Sequence, residues 1–147
     1  MRAFVGHQGD VDAVAWQPNG NLVATGSADR SARLWDVRSS KCVRLMPGHT
    51  HGVSAVAISP DGSTLVAGET EGGLRVWDLG SAESLSELPA HTGTVHSLAV
   101  SRAGQLIASG GADCCLALWQ PAQYVPRAAL SVPWLFKAGL TLSLIHI

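Results

Sequence analysis

Three observations predict an all-β repeat fold. The decapeptide "SADRSARLWD" (27–36) has counterparts in "TEGGLRVWDL" and "ADCCLALWQP", which place Trp35, Trp77 and Trp119 at a spacing of 42 residues. Gly6-His7, Gly48-His49 and Ala90-His91 recur at the same interval, and each histidine lies 28 residues before its tryptophan. No window sustains a helical period over a useful length, whereas short β-branched runs alternate with turn signals. A constant period in this range indicates a repeat architecture built from one supersecondary unit.

Each unit divides into the same elements in the same order. The first strands are "VDAVAW", "VSAVAI" and "VHSLAV", closed by turns carrying Gly20, Gly62 and Gly104. The second strands are "NLVATGS", "TLVAGET" and "LIASGGA". The third are "SARLWDV", "GLRVWDL" and "CLALWQP". Weaker fourth strands, "KCVRLMP" and "ESLSELP", lead into the next Gly-His or Ala-His pair. Residues 1–121 thus form three units, about 2–43, 44–85 and 86–121, and 122–147 form a tail without the repeat.

The bulk numbers restrict function. A chain of 147 residues has room for about one domain of ordinary size. With 14% charged residues and a net charge of −1, it lacks the basic footprint that direct nucleic-acid binding would need. Cys42, Cys114 and Cys115 are an odd number without framework spacing, and adjacent cysteines fit disulfide geometry badly, so a reducing intracellular compartment is the simpler reading. The first ten residues contain no apolar run long enough for a signal peptide.

Four short strands per unit, with Gly-His near one end and Trp-Asp near the other, resemble the WD-repeat β-propeller family. The resemblance covers residues 2 to about 121 and implies three four-stranded blades in an open arc. It further implies that a histidine, a serine or threonine, an aspartate and a tryptophan form a buried hydrogen-bonded chain in each blade. Carried over by position, the first unit supplies His7, Thr25, Asp29 and Trp35, and the third supplies His91, Ser109, Asp113 and Trp119. The second retains His49 and Trp77 but has Ala67 and Glu71 at the other positions, so an incomplete network and the weakest blade are expected there. Family propellers usually have seven blades, which makes three units a fragment of a longer protein. Within the family, "QPNGNLVATGSADRSARLWDV" followed by "CVRLMPGH" most resembles the WD-repeat region of subunit five of TFIID and its SAGA-type homologue. That likeness implies a nuclear location, failing which a cytoplasmic one, and histone-fold transcription subunits as partners.

No phosphate-binding glycine loop or Gly-x-Ser-x-Gly elbow occurs. His49, His51, His91 and His96 lack carboxylate or cysteine partners at ligand spacing, so structural histidines are expected and no metal, cofactor or catalytic residue is assigned. Two functions compete, an interaction scaffold and a propeller enzyme, and the polar residues recur with the unit as structure requires. A scaffold is expected, with its contact surface in the loops on the histidine side: Gln8, Asp10, Arg30, Thr50, His51, Thr92 and Thr94, together with Ala28 and Ala112. Three readings stand for the tail. Pro133 and Lys137 interrupt a membrane span, which needs ~20 apolar residues; Tyr124 to Val132 could complete the third blade; and from Leu135 onward, translated intronic or vector-like sequence is preferred. The tail is accordingly expected to be non-native or disordered.

Overall fold

A computed structural model describes residues 1–120, and the three tail readings concern residues outside it. Eleven strands occur among the described residues, and no helix. The first sheet comprises β1 (Val11–Trp16), β2 (Leu22–Ser27), β3 (Ala32–Asp36) and β4 (Lys41–Met46). The second comprises β5 (Val53–Ile58), β6 (Thr64–Glu69), β7 (Gly73–Asp78) and β8 (Ser84–Pro89). The third comprises β9 (Val95–Val100), β10 (Ile107–Gly111) and β11 (Leu116–Trp119). Every pairing is antiparallel between neighbours in sequence. The all-β blades follow the predicted order, with the third sheet showing three strands among the described residues.

Register repeats with the sequence. Trp35 lies opposite Val23, Trp77 opposite Leu65 and Trp119 opposite Ile107. The hairpin between second and third strands turns at Arg30 (φ 65°), Gly72 (φ 97°) and Cys114 (φ 64°), one left-handed residue per blade. Only glycine takes that conformation without steric cost, and Gly72 is the one of the three that must also be glycine for space. A Cβ there would overlap the carbonyl oxygen of His91, whose own N–H donates to the Gly72 carbonyl at 2.9 Å.

The apolar cores lie between the blades. Val53 and Val56 of β5 pack with Ala24, Ala32, Leu34 and Met46 of the first blade, and Ile58 joins them from the margin. The same layer recurs where Val95, Ile107 and Trp119 meet Ala55, Val66, Leu74 and Val76. Gly26 permits the first approach, because a Cβ at this position would sit 2.5 Å from the Val53 Cγ1; Gly68 does the same against Val95 at 2.6 Å. The second blade is therefore covered on both faces, and every residue of β6 is buried.

Candidate functional site: the buried polar chains and the rim above them

The polar groups inside the first blade form a directional chain. Trp35 Nε1–H can only donate, and it donates to Thr25 Oγ1 at 2.8 Å. The Thr25 hydroxyl must then give its own proton to His7 Nε2 at 2.7 Å, and His7 Nδ1–H donates to Asp29 Oδ2 at 2.8 Å. Asp29 also accepts from the Gln8 N–H at 3.0 Å and from the Ser31 hydroxyl at 2.6 Å. Burial pushes the Asp29 carboxyl up, but the donors from Ser31, Gln8 and His7 outweigh it and hold the group far below the usual carboxylate range. The third blade repeats the chain, with Trp119 to Ser109 at 3.1 Å, Ser109 to His91 Nε2 at 2.7 Å and His91 Nδ1 to Asp113 at 2.9 Å.

The second blade corrects two sequence expectations. Its network is not left open, because Glu69 supplies the carboxylate: Glu69 Oε1 accepts from His49 Nδ1 at 2.8 Å, and Trp77 Nε1 donates directly to His49 Nε2 at 3.2 Å. Ala67 leaves out the hydroxyl relay, and the chain closes without it. Glu71, at the position of Asp29, is exposed in the turn after β6, whereas Glu69, two residues earlier, is buried at the end of the strand. Nor do His49 and His51 lack a carboxylate, since His51 Nδ1 lies 3.7 Å from the second Glu69 oxygen. The ground for a weakest second blade is thereby removed. Burial holds His49 below its ordinary value despite the opposing Glu69 bond.

Serine, histidine and aspartate joined in this order have the connectivity of a hydrolytic triad, so access decides what they can do. Ser109 is 1% exposed, so no substrate reaches its Oγ, which already accepts from Trp119. Thr25 is occupied in the same way by Trp35. These groups satisfy one another in a place where an unpaired one would cost about 1–3 kcal/mol. Among the described residues no group of three or more His, Cys, Asp or Glu is arranged to hold a metal ion.

Above the chains runs a rim. Gln8, Asp10, Arg30, Thr50, His51 and Thr92 are exposed there. Thr94 is half-buried, and its hydroxyl donates to the Thr70 carbonyl at 2.8 Å, which clasps the third blade to the second. The rim is continuous across blades: a Cβ on Gly52 would stand 3.3 Å from the Ala28 backbone. Two clefts open along it at equivalent positions. One, of about 330 Å³, is lined by Arg30, Arg33, Leu45 and His49 among others; the other, of about 310 Å³, by Thr50, His51, Glu69, Glu71, Glu87 and His91. Sequence reasoning missed Glu69, Arg33 and Leu45, although a lone acid at the end of the apolar run "TLVAGE" was a visible signal for the first.

Comparison with known proteins agrees with this geometry. The family described as "WD domain, G-beta repeat" matches residues 1–36, 40–78 and 82–120. THO complex subunit 3 of Arabidopsis thaliana is 52% identical over 40 residues, 26% of this chain and 13% of that protein. WD repeat-containing protein 18 of Rattus norvegicus is 41% identical over 46 residues, 31% of this chain and 11% of its own length. Eukaryotic translation initiation factor 3 subunit I of Neosartorya fischeri is 45% identical over 45 residues, 31% and 13%. The crystal structure of RRP9 WD40 repeats superposes with a TM-score of 0.78 at 26% identity, covering 83% of this chain and 38% of that one. The chain therefore spans a small part of the curated relatives it matches. Three matched repeats, with the fold they build, place this chain in the WD-repeat family.

Proposed function

We propose that the chain is part of a non-catalytic scaffold that binds other proteins through the histidine-side rim. The observation that carries this reading is a contrast between framework and rim. His and Trp recur in every blade, whereas the equivalent rim positions differ: Gln8, Thr50 and Thr92; Asp10, Gly52 and Thr94; Arg30, Gly72 and Cys114. A constant framework with a varied edge suits recognition, because rigid blades hold loops whose chemistry is free to change. The names of relatives that are subunits of the THO complex and of translation initiation factor 3 support a role within a multi-subunit assembly.

The finer reading rests on the resemblance of residues 17–37 and 42–49 to subunit five of TFIID and its SAGA-type homologue. On that reading the parent protein is nuclear and contacts histone-fold subunits of a transcription complex. An adaptor of another intracellular complex, nuclear or cytoplasmic, is the alternative. The test is affinity purification of the full-length protein carrying Asp10→Lys with Arg30→Glu. Both side chains are exposed, so folding should be retained while partner recovery falls. Recovery unchanged by the double reversal would refute the rim as the contact surface. Recovery of partners from other assemblies, with no transcription subunit among them, would refute the finer reading alone.

A further inference from the structure

Blades one and two carry the same arginine in different company. Arg33 and Arg75 are 42 residues apart, and each lays its guanidinium against the tryptophan of its own blade, at 5.9 Å from the Trp35 ring centre and 5.7 Å from that of Trp77. In both, Nε is buried without a hydrogen-bond partner. The difference lies across the sheet. Arg75 stands opposite Glu87 on β8 and binds its carboxylate at 2.9 Å, whereas Arg33 stands opposite Leu45 on β4. No ion pair or hydrogen bond engages Arg33 among the described residues. Arg33 and Leu45 line the cleft of about 330 Å³, with Arg30 exposed at its edge. One carboxylate lines this cleft, Asp29, and it is already held by His7, Ser31 and Gln8.

We propose that the cleft of the first blade is a docking subsite for an acidic peptide segment of a partner protein, one of whose carboxylates takes the place that Glu87 fills beside Arg75. A guanidinium stacked on an indole is weakly hydrated and held in one orientation, so it presents its fork to a carboxylate at little ordering cost. The second blade shows the occupied state of the same site, with the ligand supplied by its own fourth strand. Arg30 adds a second positive charge for a neighbouring acidic residue. The apolar Leu45, 47% exposed, offers a contact for the stem of that side chain. The second cleft, with Glu69, Glu71 and Glu87 on its walls, repels the same peptide, which fixes the register along the rim.

This inference rests on the scaffold reading and can fail separately from it. The test uses the complete 147-residue chain with ¹⁵N-labelled arginine, titrated with an acetylated, amidated tri-glutamate peptide while the Nε–H signals are followed. The Arg33 signal should shift saturably and the Arg75 signal should not. Leu45→Glu rebuilds the internal ion pair on an exposed position and should weaken binding at least tenfold. Glu87→Leu combined with Glu71→Gln frees Arg75 and removes the exposed acids of that cleft, so that the Arg75 signal should then move as well. An unresponsive Arg33, or a Leu45→Glu protein that binds as the unmodified chain does, overturns the proposal. So does inorganic phosphate that shifts Arg33 at lower concentration than the peptide. If partner capture persists while tri-glutamate fails, the subsite is wrong and the scaffold stands; if tri-glutamate binds but no partner is recovered, the scaffold reading falls alone.

Discussion

Replacing Glu69 with alanine removes the acceptor from the buried His49 Nδ1. Glu69 is 5% exposed and the His49 side chain is fully buried, so the orphaned N–H bears a desolvation penalty of about 1–3 kcal/mol. The tautomer of His49 is then held from one side only, by the Trp77 donor to Nε2, where the carboxylate had fixed Nδ1–H as well. For a chain of this size each kcal/mol corresponds to roughly 3–6 °C in melting temperature. Thermal unfolding at fixed protein concentration, followed by tryptophan fluorescence, should therefore show Glu69→Ala melting roughly 3–18 °C lower. Glu69→Gln keeps an acceptor and should lose less. Glu71→Ala should change stability by less than about 0.5 kcal/mol, since that side chain is exposed and has no hydrogen bond among the described contacts. The reasoning is refuted if Glu69→Ala melts with the unmodified chain, or if Glu71→Ala is the more damaging change.

Gly72→Ala should cost roughly 3 kcal/mol, because it combines a left-handed backbone with overlap on the His91 carbonyl; a denaturation midpoint close to that of the unmodified chain would contradict this. Stability should fall in two steps on acidification. His49 is held below its ordinary value of 6.5, so its contribution is complete above that pH and is lost as the pH falls through the lowered value, the unfolded chain binding the proton first. Asp29, Asp61 and Asp113 are held below their ordinary value of 3.8, and their contributions, present above it, are lost at still lower pH. Denaturant titrations across this range check both steps, and His49→Gln should abolish the upper one. The end face of the first blade should drive association, because Val14 (65% exposed) and Trp16 (61%) occupy the positions of Val56 and Ile58, which pack on a neighbouring blade. Light scattering should show concentration-dependent assembly that Val14→Glu with Trp16→Glu reduces, whereas a monomer at every concentration would contradict it.

Period and strand type were legible because each blade repeats the same local instructions. Alternation set the strands, Gly20, Gly62 and Gly104 set the first turns, and Gly26 and Gly68 left space for a valine from the next blade. The chains of the first and third blades could be drawn by position because their residues keep the register. The second could not, because Glu69 reaches His49 from the end of β6, two residues before the turn position that Asp29 holds in the first blade, and a fixed register cannot anticipate a longer side chain starting elsewhere. The clasp from Thr94 was hidden for another reason: its partner is a backbone carbonyl in the neighbouring blade, which carries no residue signature. Arg33 was passed over because its distinction is relational, and depends on Leu45 standing where the next blade has Glu87.

The central claim is that the blades are framework and the histidine-side rim is the contact surface. Amide exchange measured by mass spectrometry, on the protein alone and on the complex recovered by affinity purification, tests it most directly. Protection gained on binding should fall on 8–10, 28–30, 50–51, 92–94 and 112, with the strands carrying Trp35, Trp77 and Trp119 unchanged. Protection concentrated instead on the opposite turns, around Gly20, Gly62 and Gly104, would contradict the account.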